Sequence, residues 1–211
     1  MLIYRLHNDR RQKNDASNCV INKFDKIEER EISMSLYFRL FWVWLRARSK
    51  SSIQMGETIE LTMRVWPNDL DINGHMNNGR YMTITDLALI EYFARAGFIR
   101  YALRKRWRPI LGGSIISYRR ALKPFAVYNL RYSMICWDAR WSYMAFEFLQ
   151  DGRTMAHGFS KGAIIGSEGY VSGADARAAM GINPISPKFP SSISSWIETE
   201  SLMSVYLLAR N

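Results

Sequence analysis

The sequence predicts an α+β domain in which an antiparallel sheet curves around one long helix, and three observations carry that expectation. Between Glu57 and Val65 the chain alternates, with Ile59, Leu61, Met63 and Val65 on one side and Thr58, Glu60, Thr62 and Arg64 on the other. That is a half-buried strand. From Asn78 to Ala96, Tyr81, Ile84, Leu87, Ile90 and their neighbours cover most of a helical circumference, the pattern of a helix buried on nearly every side. Four strand-like runs then follow, at Pro109–Ala121, Val127–Trp137, Trp141–Leu149 and Thr154–Gly166. Only turn signals divide them, and links so short imply antiparallel pairing.

Each boundary has a local cause. Trp66-Pro67-Asn68-Asp69 ends the first strand, because proline removes a ladder donor and Asn and Asp favour turns. Asn78 is the expected N-cap of the helix and Gly97 its C′ stop. At 1.5 Å per residue the helix is about 28 Å long, enough to run across a whole sheet. Arg104-Lys-Arg-Trp-Arg108 reads as a basic connection into the second strand. The later turns fall at Lys123-Pro124, at Asp138 to Arg140 and at Gln150 to Arg153. Beyond Ser167 the chain reads as loop with a helix over Gly173–Met180, a link spaced by Pro184, Pro187 and Pro190, and a last helix over Ser191–Leu208.

With 211 residues, 48% of them hydrophobic, one sizeable core is expected. Residues 1–33 mix charges without periodicity and read as a poorly ordered extension. Residues 34–56 are the most one-sided part of a chain of net charge +10, carrying Arg39, Arg46, Arg48 and Lys50 and no acid. Their apolar run is too short, and too interrupted by Arg39, to span a bilayer, which needs about 20 apolar residues. Two alternatives stand for residues 34–50: a membrane-interface helix, with Trp42 and Trp44 at headgroup level and the basic residues on anionic lipid, or a helix docked on the protein body. Cys19 and Cys136 imply no disulfide framework, and His7, His75 and His157 show no metal-ligand spacing. No secretory signal opens the chain, so the cytosol, with contact at the inner membrane surface, is the expected location. Net charge alone does not make a nucleic-acid binder, and no RNA-binding or helix-turn-helix motif accompanies it.

The chemistry concentrates in residues 69–81, Asp-Leu-Asp-Ile-Asn-Gly-His-Met-Asn-Asn-Gly-Arg-Tyr, between strand and helix. The first amides of a helix point outward unpaired and carry partial positive charge, so they suit a developing oxyanion. Asp71 is placed to attack an electrophile there or to activate water, and the residues alone leave both routes open. His75 suits a proton shuttle, since imidazole titrates near neutrality. Asn73 suits holding Asp71 or the water. The competing reading is structural: Asp71 and Asn73 shape an Asx turn, Gly74 relieves it and Asn78 caps the helix. Arg119, Arg120 and Lys123, beside Tyr118, suit either phosphate binding or an ordinary solvated strand face.

With Arg64-Val65, the Asp69-x-Asp71 pair, Gly74-His75-Met76-Asn77-Asn78 and Tyr81, the chain resembles hot-dog-fold acyl thioesterases of the 4-hydroxybenzoyl-CoA thioesterase-like family. Plant acyl-ACP thioesterases are similar over the same window, Asp-x-Asp-x-Asn-x-His-x-Asn-Asn-x-x-Tyr, met here at every specified position. Tyr118-Arg119-Arg120, Trp137-Asp138 and the stretch from Phe189-Pro190 to Trp196-Ile197 extend the resemblance over about residues 35–200.

The resemblance implies a hot-dog thioesterase domain over 57–167, a C-terminal helical tail over 168–211, and hydrolysis of an acyl-CoA or acyl-carrier thioester without a cofactor or metal. It implies Asp71 as nucleophile or general base, and His75 and Asn73 as parts of the catalytic network. Asn77, Asn78, Gly79, Tyr81, Arg119 and Arg120 are the expected substrate contacts. A homo-oligomer, dimer or tetramer, is implied too, with one subunit's helix-start motif completed by its neighbour. Two positions depart from the pattern: Ala121 stands where the plant enzymes have glutamate, and Asn78 where another bacterial CoA branch has histidine. A non-catalytic acyl-CoA or lipid-binding protein at the membrane surface is the alternative function.

Overall fold

A computed structural model describes residues 36–181 and 185–208. The expected extension over 1–33, Cys19, His7 and Pro184 fall outside them. Two compact units separate, Met1–Val43 and Trp44–Asn211. A helix, α1, runs over 36–49. In the first unit its Tyr37, Phe38, Phe41 and Trp42 are exposed. In the second, Ala47 is buried, Arg48 lies 4.1 Å over the Trp44 ring, and Lys50 Nζ meets Glu91 Oε1 at 2.6 Å. No described helix is long and apolar enough to cross a membrane.

The second unit is the expected α+β arrangement. Its strands are β1 (Ile59–Arg64), β2 (Arg108–Tyr118), β3 (Val127–Trp137), β4 (Ser142–Gln150), β5 (Arg153–Gly166) and β6 (Gly169–Val171). They form one antiparallel sheet in the order β1-β3-β4-β5-β2, with β6 paired to β5. Register sets Ile59, Tyr132, Phe146, Gly158 and Ile116 side by side across five strands. Gly158 is required there, since a Cβ would run into Ile115 O and the Phe146 ring. Bulges between Leu111 and Gly113 and between Met134 and Cys136 interrupt the ladder and bend the sheet.

The central helix α2 (Asn78–Arg95) lies on that face. Tyr81 packs edge-on to Tyr118 of β2 at 5.2 Å and Phe148 of β4 at 4.9 Å, and Tyr92 to Tyr132 of β3 at 5.8 Å. Two of its polar groups toward the sheet and α1 are matched: Tyr92 OH accepts from the Gly56 amide, and buried Glu91 meets Lys50 and Arg95. Gly97, at φ 76°, takes the left-handed turn that ends the helix, as its sequence predicts.

Three boundaries differ from expectation. The N-cap is Asn77, whose Oδ1 accepts from Gly79 N at 2.8 Å, not Asn78, which is already helical. A helix, α3 (Phe98–Lys105), precedes the basic connection and takes in its Arg104 and Lys105, because Phe98 is buried against Phe93 and Trp107 and carries the following residues with it. β2 stops at Tyr118 rather than Ala121, since the amides of Arg119 and Arg120 both donate to Met155 O.

A second core closes the other face. At the β3 bulge Ile135 is the extra residue, so Cys136 pairs with Tyr143 and turns away from Met134. Helix α5 (Ser191–Leu208) covers that pair with Ile193 and Trp196, and Lys161 of β5 is ion-paired to Glu200 beside it. Burial and the nearby Asp138 carboxylate push the Cys136 thiol up to about 11, so it is a packed thiol rather than a nucleophile. The short helix α4 (Gly173–Ala179), N-capped by Ser172, sits between β6 and α5 in the chain.

Candidate active site

The segment between β1 and α2 folds as a small hairpin of its own. A 3-10 turn over Pro67–Asp69 follows β1, Leu70 bridges Met76, and Asp71 N and His75 O bond at 2.8 Å. Asp69 holds the base of this loop: it is 0% exposed, its Oδ2 accepts from Trp66 N at 2.9 Å, its Oδ1 lies 3.4 Å from Arg80 Nε, and its carbonyl accepts from Asn77 N. Its role is structural.

Asp71 stands at the rim. Its Oδ1 accepts from Asn73 N at 2.8 Å and His75 N at 3.3 Å, an Asx-type turn, and Gly74, at φ 70°, supplies the reversal. The largest influence on its carboxyl is desolvation, which raises its pKa. The amides of His75 and Asn73, the Asn73 carboxamide and the His75 ring together outweigh that and hold it below the ordinary aspartate value. Asp71 is thus an ionised carboxylate fixed by its own loop. Asn73 is exposed and His75 half-buried beside it.

At the helix start, Gly79 N is taken by the Asn77 cap and Arg80 N by Asn77 O. The Asn78 amide, one of the first of the helix, makes no hydrogen bond among the described residues. Asn77, Asn78 and Gly79 are all exposed. Tyr81, 2% exposed, faces the core instead. The other strand end is tied in: Tyr118 OH donates to Asn78 O at 2.9 Å, and Met76 N donates to Leu122 O at 2.9 Å. Arg119 and Arg120, one and two residues past that tether, line a shallow depression with Arg153 and His157. Ala121, where a catalytic glutamate would stand by resemblance, borders a neighbouring depression that also contains Lys123.

A mainly apolar cavity of ≈ 200 Å³ lies on the α2 face of the sheet. Asp86, Leu89 and Phe93 of α2 line it, with Met134 of β3, Met144 of β4 and Arg177 of α4. Asp86 is exposed on its outer side, yet the apolar surroundings desolvate its carboxyl and raise it above its ordinary value. Neither Asp86 nor Arg177 stands out in the sequence, where one is a polar residue in an apolar helix and the other an arginine in a short one. No group of three or more potential metal ligands occurs among the described residues.

Comparison with protein families matches residues 65–197 to the thioesterase-like superfamily. Protein THEM6 of Xenopus laevis is 29% identical over 151 residues, 70% of this chain and 70% of that protein. Thioesterase poxG of Penicillium oxalicum is 31% identical over 98 residues, covering 40% of this chain and 32% of that longer protein. Among solved structures, the DHNA-CoA thioesterase of Staphylococcus aureus aligns over 70% of this chain and 93% of its own at TM-score 0.51 and 12% identity. The 1,4-dihydroxy-2-naphthoyl-CoA thioesterase Slr0204 of Synechocystis aligns over 59% and 95% at 0.52 and 10%. At such identities these structures speak for the hot-dog fold alone. The family match spans most of the chain and takes in the loop, the central helix and every strand but β1, and by it the chain belongs to the thioesterase-like superfamily.

Proposed function

We propose that the protein hydrolyses an acyl-CoA or acyl-carrier thioester to a free acid and a thiol, with Asp71 as the reacting carboxylate. The observation that carries this reading is an ionised Asp71, held through Oδ1 by its own loop, at the entrance to a helix whose Asn78 amide is unpaired among the described residues. The amide stabilises the oxyanion formed when the thioester carbonyl is attacked. As general base, Asp71 takes a proton from water as the water oxygen bonds to the carbonyl carbon; the C–S bond then breaks and the thiolate takes up the proton. As nucleophile, an Asp71 oxygen bonds to the carbonyl carbon, thiolate leaves, and water cleaves the resulting anhydride. Asn73 orients the carboxylate, and His75 is placed to move the proton. Arg119 and Arg120 meet the phosphates of CoA or a phosphopantetheine arm.

A homodimer completes the site in this reading. β2 is an edge strand, and Leu111, Ile115 and Tyr118 are exposed along it, a surface suited to pairing with a second copy. The exposed aromatic residues of α1, with its arginines, suit contact with an anionic lipid surface, which co-sedimentation with phosphatidylserine vesicles tests.

Hydrolysis of short, medium and long acyl-CoA by the wild type and Asp71→Ala tests the assignment. Unchanged turnover in the variant would refute Asp71's role. Single turnover in ¹⁸O water that labels Asp71 would establish the nucleophilic route, since solvent oxygen enters Asp71 only when water attacks the aspartyl carbonyl of the anhydride. Ala121 favours a second reading, an acyl-binding protein without turnover, and acyl-CoA that binds and stays intact for hours would support it.

A further inference from the structure

Arg177 is 3% exposed and has no carboxylate within ion-pair distance among the described residues. Its NH1 donates to Gly173 O at 2.7 Å, its NH2 to Ser142 Oγ at 3.0 Å and Met134 Sδ at 3.3 Å, and its guanidinium lies 3.8 Å over the Trp137 ring. Its Nε is buried and makes no hydrogen bond among the described residues. Three neutral acceptors do not exhaust five donors, and a buried cation without a counter-charge is costly to keep. Desolvation, partly offset by the Tyr92 hydroxyl, pushes its pKa down to about 10, so it is still cationic at neutral pH.

This cation forms part of the wall of a cavity that is apolar apart from Arg177, Asp86 and Ser142. Gly79, Asp86 and Phe93 recur every seven residues, nearly two turns, so one stripe of α2 runs from the helix start into that cavity. At 1.5 Å per residue, Asp86 lies about 11 Å and Tyr92, whose hydroxyl interacts with Arg177, about 20 Å along the axis from Gly79. Asp86 therefore lies toward the thioester end, and it forms no ion pair with Arg177.

We propose that the cavity receives the far end of a long acyl chain and that Arg177 selects chains ending in a carboxylate, making ω-carboxyacyl thioesters the preferred substrate class. The proposal rests on the thioesterase reading for its reaction, but the binding preference can be measured without turnover. Calorimetry with two non-hydrolysable CoA thioethers of matched long chain length, one ending in carboxylate and one in methyl, gives at least tenfold tighter binding of the carboxylate-ended ligand to the wild type. In Arg177→Met that ratio falls toward one, and Arg177→Lys retains part of it. Turnover of hexadecanedioyl-CoA against palmitoyl-CoA shows the same ratio in kcat/KM. Equal binding of the two thioethers by the wild type overturns the proposal even if no variant folds, as does a ratio untouched in Arg177→Met. Carboxylate-selective binding with no hydrolysis of any thioester would keep this inference and reject the catalytic one.

Discussion

In the loop leading into α2, Asp71 and its backbone donors at Asn73 and His75 lie within five residues of chain, whereas Arg177 reaches Ser142 and Met134 across separations of 35 and 43. The loop satisfies its charge with its own amides and leaves it open to water. The arginine is withdrawn from water and meets a π face and neutral acceptors supplied by the finished sheet. A carboxylate held by local amides is stabilised in its charged form wherever the loop forms, while a guanidinium held by distant groups depends on the whole domain being assembled.

Substitutions can break that contrast, beginning with the largest effect. Asp71→Ala should lower kcat/KM for acyl-CoA by about 10²–10⁴ with little change in unfolding midpoint, since general acid–base groups contribute on that scale and the side chain is at the rim. Asp69→Ala should do the reverse. Deleting one partner of a buried pair strands Arg80 and the Trp66 amide, so about 3 kcal/mol of stability should be lost in urea unfolding. Leu89→Trp, which fills the cavity, should lower kcat/KM for long-chain thioesters about tenfold relative to short ones, roughly 1.4 kcal/mol of transition-state binding. An equal effect on both lengths would detach the cavity from the substrate. Asn77→Ala removes the N-cap, and thermal unfolding should register about 1 kcal/mol.

The smallest effect concerns pH. The folded pKa of Asp71 is below its unfolded value, so its stabilisation is present above the unfolded pKa and lost as pH falls through the folded one. The stability difference between wild type and Asp71→Asn should stay constant at neutral pH and narrow only below about pH 4. A difference that already narrows near pH 6 would show that the loop's amides do not hold the carboxylate.

Much of the scaffold is legible in residue patterns because period and punctuation are local. The alternation at Ile59 and Leu61 gives a strand with those residues buried and Glu60 and Thr62 exposed, and α5 spans the expected Ser191–Leu208. Adjacent asparagines at 77 and 78 are chemically equivalent, so only backbone geometry distinguishes cap from first helical residue. The basic residues of α3 hide it, because Phe98 alone anchors it and its partners lie outside it, Phe93 on α2 and Trp107 in the link to β2. Tyr81 belongs to the motif window by sequence, yet its ring is spent on Tyr118 and Phe148.

The sequence by itself determined the α+β order of elements and the cluster of Asp71, Asn73, His75 and the helix-start asparagines. Those depend on spacings of a few residues, over which backbone geometry leaves few alternatives. Only the tertiary structure decided that a bulge turns Cys136 to the second face, and that Arg177 reaches the cavity wall with no carboxylate in ion-pair distance among the described residues. These arise from contacts between residues far apart in the chain, where the partner is chosen by packing and not by sequence distance.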